Sequence, residues 1–423
     1  METTRHDLPP GWHYDEDTGA IMRDVIHRMG RRCFNWDYCG KGVYMVTMTL
    51  ADRSKPLFGR LVGECPETAA IELSELGRAV DAHLRRIGEF TPEIELLGAQ
   101  LMPEHLHAVL RVMRRMAKPL GIALRGFKGG ASQLFWHLSA PEETRRWHAE
   151  RGTERKPLFA EGYVDNILSD KQAVESALRY VADNPRRLWE KRAHPELFKV
   201  LREVKLALRS ASAGGGQSHR LGDSSPSAQT SSATPRVAAP AVPTAGYFSA
   251  IGNLALLDEP NVFQVQCSRS FFEYRRAPDG SLLKGAPPAV ETREFIEKRD
   301  GFLEAAEHGA VLLSPCISHG EREIARLAFE KGLKVVILSN KGFNPLYKPG
   351  GRLFDQCAGG NLLMLAPAAW PYVPGEKRMT RIDACVLNRI AQWLSGPGAV
   401  EIKYRGVEPR QVDRLACEAL ETE

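Results

Sequence analysis

Apolar and polar positions in the N-terminal half follow first the period of a strand and then that of a helix. Residues 43–50 are apolar and β-branched, which predicts a strand. A helical face follows, with apolar residues three or four positions apart: Leu73, Leu76, Val80, Leu84 and Ile87. Residues 94–102 and 105–112 predict a hairpin, and helices are expected from about Pro119 and over 170–184. The order β-α-β-β-α favours an α+β domain of the ferredoxin-like kind.

The C-terminal half has short, uninterrupted apolar runs that alternate with helical stretches. These runs predict strands at 262–267, 310–313, 334–338 and 361–365. Helices are expected from about Glu291 and over 321–331. Continuous apolar strands between helices are typical of a parallel sheet covered on both faces, so an α/β Rossmann-like domain with a parallel sheet is predicted.

Residues 210–246 separate the two halves and consist mostly of Ser, Ala, Gly, Pro, Thr and Gln. Such a segment cannot bury enough surface to offset its chain entropy, which predicts a flexible linker. We therefore expect a first domain over residues 1–209, with its core at about 42–190, and a second over 247–423. A chain of 423 residues is long enough for both.

Composition narrows the setting but not the function. The net charge of +5 permits a nucleic-acid partner without requiring one. No apolar run is long enough to span a bilayer and the N-terminus has no secretory pattern, so no membrane association is expected. Eight cysteines without a CxxC pair argue against a zinc ribbon or a disulfide framework and favour a cytoplasmic location.

Two histidines stand two positions apart on a predicted strand. Alternation places the side chains of His105 and His107 on the same face, whereas Leu106 should enter the core. Two imidazoles on a rigid strand can hold one divalent ion and leave positions open for substrate oxygens. Paired histidines are also common as ordinary half-buried strand residues, so this pattern alone does not establish a metal site.

A tyrosine and an asparagine share a face of the helix predicted over 170–184. Tyr180 and Asn184 are four residues apart, and Pro185 is expected to end the helix. A tyrosine hydroxyl can attack a DNA phosphate if a cation neutralises the phosphoryl oxygens, and an amide oxygen is a suitable third ligand to that cation. The alternative is that Tyr180 is a core-facing aromatic residue beside Leu178 and Val181.

Together these motifs resemble a family. The run Met-Pro-Glu-His-Leu-His at 102–107 is similar to the HUH motif of single-tyrosine transposases. Residues 179–185 resemble the tyrosine helix of their REP-associated branch, and 126–130 and 157–165 resemble its basic helix and its G-Y-x-D stretch. The resemblance covers roughly residues 42–189.

The resemblance implies a metal-dependent enzyme that cuts and rejoins single-stranded or hairpin DNA. His105, His107 and Asn184 would bind Mg or Mn, and Tyr180 would form a 5′-phosphotyrosine adduct and release a 3′-OH. Two residues depart from the family pattern, and a third competes with Tyr180 as the candidate nucleophile. Glu104 replaces an asparagine and could add a ligand, Phe159 replaces a tryptophan, and Tyr163 is a rival nucleophile.

Basic residues around these motifs are candidates for binding the DNA backbone. The candidates are Arg111, Arg114, Arg115, Lys118, Arg125 and Lys128, while Trp136 and Trp189 could stack on bases. A solvated basic face is the alternative interpretation.

In the C-terminal half, small and polar residues follow the predicted strands, where ligands of parallel sheets bind. Ser268, Arg269, Ser314 and Gly320 are the candidate nucleotide or phosphate contacts. The stretches 252–269, 313–325 and 336–349 resemble the Rossmann-like domain of DprA/Smf DNA-processing proteins, although the family's Asp and His are missing and Cys267 replaces a glycine. The resemblance implies binding of DNA or a nucleotide.

Three functional hypotheses remain open at this point. The first is the transposase-like nicking and joining enzyme. The second is a non-catalytic binder of single-stranded nucleic acid with a decayed metal site, and the third is a nucleotide-binding Rossmann-like protein. A structural or dimerising role of the second domain, with the chain as a homodimer, is also allowed.

Overall fold

A computed structural model describes residues 12–14, 21–23, 36–139, 146, 150, 157–209, 243–267, 272–273, 290–375, 377–399 and 407–421. The chain divides into two compact units, Met1–Glu190 and Lys191–Glu423. Within the described residues, no helix is long and apolar enough to cross a membrane.

The first unit is built around a four-stranded antiparallel sheet. Its strands are β1 (Trp12–Tyr14), β2 (Ile21–Arg23), β3 (Gly42–Thr49), β4 (Gly59–Val62), β5 (Ala70–Leu73), β6 (Ile94–Met102), β7 (His105–Val112) and β8 (Val164–Leu168). Its helices are α1 (Glu75–Arg85), α2 (Ile87–Phe90), α3 (Leu120–Ser139) and α4 (Lys171–Ala193). The main sheet has the order β6-β7-β3-β8, whereas β1-β2 and β4-β5 form separate pairs. The elements of the main sheet and its helices follow the order β3-α1-β6-β7-α3-β8-α4, which is consistent with the predicted α+β class.

The two faces of this sheet are covered by different helices. On one face, Leu106 and Leu110 of β7 pack with Val80 of α1 and Leu124 of α3 in the main core. On the other face, Val109 packs with Ala177 and Val181 of α4 in a smaller cluster. Alternation along β7 therefore separates a core face from a face that carries α4.

Helix α4 is longer than the sequence predicted. It passes through Pro185 and continues to Ala193 instead of ending at the proline. Proline removes the backbone donor that would bond the carbonyl of Val181. One position earlier, the side-chain Nδ2 of Asn184 makes an additional bond to the carbonyl of Tyr180 at 2.8 Å. This contact and the burial of Val181 and Pro185 support the helix across the proline.

The second unit contains a six-stranded mixed sheet. Its strands are β9 (Leu201–Ala207), β10 (Ala245–Gly252), β11 (Val262–Gln264), β12 (Phe272–Glu273), β13 (Val290–Glu291), β14 (Val311–Ser314), β15 (Val335–Leu338) and β16 (Leu362–Pro367). Its helices are α5 (Arg293–Glu307), α6 (His319–Glu330), α7 (Arg352–Ala358), α8 (Arg381–Ser395) and α9 (Pro409–Leu420). The strand order is β11-β14-β15-β16-β10-β9. The first four strands are parallel to one another, and β10 pairs antiparallel with both β16 and β9.

One expectation is corrected by this sheet. The sheet is mixed rather than wholly parallel, because β10 pairs antiparallel with β16 and with β9. Strand β9, which precedes the predicted boundary at 209, belongs to this sheet through its pairing with β10. Of the predicted linker 210–246, residues 210–242 lie outside the described residues, and β10 already begins at Ala245.

Candidate active site

The two histidines lie at the start of β7, and their ring nitrogens meet on the α4 face of the sheet. Alternation turns His105 and His107 to this face, while Leu106 is fully buried in the main core. Nε2 of His105 and Nε2 of His107 are 3.2 Å apart, and the ring planes are inclined at 84°. The spacing of two residues thus produces a pair of nitrogens that converge on one point.

The outer nitrogen of each imidazole faces a different oxygen. Thr47, which is paired with His107 across β3 and β7, places Oγ1 2.8 Å from Nδ1 of His107. Oε1 of Glu104 lies 3.3 Å from Nδ1 of His105. The contact with His105 holds the pKa of Glu104 below its ordinary value, although burial acts to raise it. Glu104 therefore contacts the side of the ring opposite Nε2, where it can orient His105.

The converging nitrogens fit a single divalent ion. If both bind at about 2.1 Å, the usual metal–imidazole distance, their 3.2 Å separation corresponds to an angle of about 100° at the ion. This angle lies between the octahedral and tetrahedral values. The described residues include no group of three or more His, Cys, Asp or Glu side chains that could hold a metal.

Tyr180 projects from α4 beside this pair. Its ring centroid lies 5.5 Å from that of His107, in an edge-to-face arrangement with the planes inclined at 73°. The guanidinium carbon of Arg187, one of the buried residues of α4, lies 5.3 Å from the centre of the Tyr180 ring. Tyr180 itself is 36% exposed, so a large substrate can approach a ring that has defined neighbours.

Asn184 lies one helical turn after Tyr180 and is buried at 6% exposure. Its Nδ2 donates to the carbonyl of Tyr180. Because this bond engages the nitrogen, the carbonyl oxygen of the side chain is the atom that could reach an ion or substrate. The structure therefore ties Asn184 to the backbone of the candidate nucleophile.

Tyr163 is separated from the histidines by the sheet. It is 7% exposed and belongs to the main core, together with residues of α1 and α3. A buried phenol on the face opposite the two imidazoles is not accessible to a substrate that approaches Tyr180. Trp136, proposed above to stack on bases, is also buried, at 6% exposure.

The basic candidates are not gathered at the histidine pair. Three arginines at the end of β7 and just after it each face a carboxylate: Arg111 with Glu95, Arg114 with Glu93 and Arg115 with Asp37. Arg125 and Lys128 belong to α3, which packs on the core face of the sheet. Lys118 is exposed and lies just before that helix.

Lys128 contacts backbone carbonyl groups of the first unit. Its Nζ donates to the carbonyls of Ala160 and Gly162, and burial lowers the pKa of the ammonium group. The basic residue that the structure does place at Tyr180 is Arg187.

In the second unit, two of the four expected phosphate contacts are described, and both are buried. Ser268 and Arg269 lie outside the described residues. Ser314 is 1% exposed and accepts from the backbone N–H of Cys316, and Gly320 is buried. A Cβ at Gly320 would come within 2.9 Å of Phe295, Cys267 and Phe272, which makes this glycine a close-packing residue.

A carboxyl group already occupies the N-terminus of α6. Glu321 is 2% exposed, and its side chain accepts from the backbone N–H of Ile317 at 2.7 Å and of Cys267 at 3.4 Å. Burial raises the pKa of Glu321. Since an acidic group of the chain itself takes backbone donors at this helix N-terminus, Ser314 and Gly320 are not open to a phosphate in this structure.

Comparisons with known proteins give distant matches only. No family model matches the sequence. A protein of unassigned function from Haemophilus influenzae is 22% identical over 172 residues, 39% of this chain and 92% of that protein.

Two solved structures match part of this chain. A REP-associated tyrosine transposase bound to a REP hairpin is 14% identical, with a TM-score of 0.25 over 36% of this chain and 72% of that chain. A candidate transposase from Deinococcus radiodurans is also 14% identical, with a TM-score of 0.22 over 36% of this chain and 96% of that chain. The function of this chain therefore has to be argued from its own residues.

Proposed function

We propose that the first unit cuts and rejoins single-stranded DNA in a metal-dependent reaction with Tyr180 as the nucleophile. The observation that carries this proposal is the convergence of three side chains from two elements. The Nε2 atoms of His105 and His107 meet at 3.2 Å, and the half-exposed ring of Tyr180 stands beside His107.

The proposed step is an exchange of one phosphate ester for another. The phenolic oxygen of Tyr180 forms a bond to a DNA phosphorus, and the bond from phosphorus to the 3′ oxygen breaks. The tyrosine loses its proton and the departing 3′ oxygen gains one. The 5′ end remains bound to Tyr180, and attack by another 3′-OH reverses the step without an external energy source.

Different residues of this chain would have different roles in this reaction. His105, His107 and Asn184 would hold Mg or Mn, which would neutralise charge on the phosphoryl oxygens. Glu104 and Thr47 hold the outer sides of the imidazoles.

The ring of Tyr180 has a neighbour on each of two sides. His107 contacts it edge to face, and the guanidinium group of Arg187 lies over it. A ring with few accessible orientations loses little entropy when it reaches the attacking position.

A denaturing gel tests this proposal directly. The full chain is incubated with end-labelled single-stranded or hairpin DNA, with and without Mn, and a covalent protein–DNA band is sought. We expect the band to require both metal and Tyr180, so that Tyr180→Phe and His107→Ala abolish it while Tyr163→Phe retains it. An adduct formed by Tyr180→Phe would exclude this nucleophile, and salt-sensitive binding without any adduct would favour the non-catalytic alternative.

A further inference from the structure

Thr47 is the residue closest to the outer nitrogen of His107, and the sequence motif does not include it. It lies on β3, and the register of β3 and β7 sets it directly opposite His107. Its Oγ1 is 2.8 Å from Nδ1 of His107, which is 6% exposed. The contact joins residues 60 positions apart, so it depends on tertiary pairing.

The chemistry of imidazole gives this contact a consequence. A neutral histidine can bind an ion through Nε2 only when its ring proton is on Nδ1. A hydroxyl oxygen beside Nδ1 accepts that proton and stabilises this tautomer. It also limits rotation of the ring, which keeps Nε2 directed toward Nε2 of His105.

The two histidines are supported in different ways. Glu104 offers a carboxylate to His105, and Thr47 offers a neutral hydroxyl to His107. Thr47 is a β-branched residue within a strand, so its side chain has few rotamers and its oxygen is held in place. Partners of this kind typically change metal affinity by about 10–100-fold when they are removed.

We infer that Thr47 is a positioning residue of the metal site, which sets the tautomer and direction of His107 and thereby the affinity for the ion. The inference rests on the proposed function, because it assumes that His105 and His107 bind a divalent metal. It assigns Thr47 no contact with DNA and no part in proton transfer.

The experiment measures Mn binding to the full chain by electron paramagnetic resonance of the free ion, without DNA. Thr47→Val replaces the hydroxyl with a methyl group of similar size, and Thr47→Ser restores the oxygen. Thr49→Val is the matched control, because Thr49 lies two residues further on the same strand face, opposite His105. No side-chain hydrogen bond joins Thr49 to another residue in the described part of the chain. Thermal unfolding by circular dichroism shows whether each variant is folded.

We expect Thr47→Val to weaken Mn binding by about 10–100-fold, Thr47→Ser to restore most of the affinity, and Thr49→Val to leave it unchanged. Wild-type affinity in Thr47→Val would overturn the inference while leaving the metal site intact. Equal losses in Thr47→Val and Thr47→Ser would also overturn it, since the oxygen would then not matter. Absence of Mn binding in the wild type, or unchanged binding in His107→Ala, would refute the metal site itself and hence the proposed function.

Discussion

Replacing Arg187 with methionine removes the positive charge over the Tyr180 ring while keeping an unbranched side chain in the same space. The guanidinium carbon lies 5.3 Å from the ring centre, and Arg187 is only 9% exposed. A cation over an aromatic ring contributes about 0.5–1 kcal/mol when exposed and about 2 kcal/mol when desolvated. The burial of Arg187 places this contact toward the upper end of that range.

If the contact aligns Tyr180 for attack, its loss should appear in the rate of adduct formation. A difference of about 2 kcal/mol corresponds to a rate about 30-fold lower. The assay is single-turnover formation of the covalent band with labelled hairpin DNA and saturating Mn. Arg187→Lys keeps the charge but not the planar group, so an intermediate rate is expected.

Arg186→Met is the matched control for this measurement. Arg186 is adjacent in sequence but lies on a different side of α4, where it binds the carboxylate of Asp183 at 2.5 and 2.9 Å. Asp183 also lies 3.9 Å from Arg187, so in Arg187→Met it still has Arg186 as a partner. A wild-type rate in Arg187→Met, or equal rates in the two variants, would refute the role of the contact.

Three further predictions address other parts of the chain. Glu104→Gln should retain most of the Mn affinity and Glu104→Ala should lower it by about 10–100-fold; complete loss of binding in Glu104→Gln would instead make Glu104 a ligand. Leu106→Ala should destabilise the first unit by about 2–5 kcal/mol in urea unfolding because Leu106 is fully buried, and a loss well below this range would contradict its core position. Burial raises the pKa of Glu321 above its ordinary value of 4.5, so the folded state holds this proton more tightly and the free energy of unfolding should fall as the pH rises above that value. Glu321→Gln should make the free energy of unfolding, measured by urea unfolding at several pH values, less dependent on pH. An unchanged pH dependence would count against the buried carboxyl group as its cause.

Local patterns predicted the core of the candidate site. The two-residue period of a strand is sufficient to place His105 and His107 together and Leu106 in the core, and the helical period places Asn184 one turn from Tyr180. Thr47 was not predicted, because its position depends on the register between strands that are distant in sequence. The contact between Arg187 and Tyr180 was not predicted either, since burial against Tyr180 is a property of the folded helix.

The errors in the second unit also come from contacts that are distant along the chain. Ser314 and Gly320 have the small size expected of phosphate contacts, but the same size allows close packing around α6. Glu321 supplies the acceptor for the loop amides, and no local pattern distinguishes such a residue from a solvated first-turn glutamate. The pairing of β9 with β10, a strand beyond residues 210–242, was not predicted either.

The geometry of the site depends on the stability of the sheet that carries it. A shift of one residue between β7 and β3 would turn both histidines into the main core and bring Leu106 to the α4 face. Burial of Leu106 and Leu110 opposes such a shift, because the apolar residues would then face the exposed site. The same register that buries these leucines aligns Thr47 with His107. Substitutions that loosen the core of β7 should therefore weaken metal binding even when they touch neither histidine, whereas substitutions of equal cost in the second unit should not.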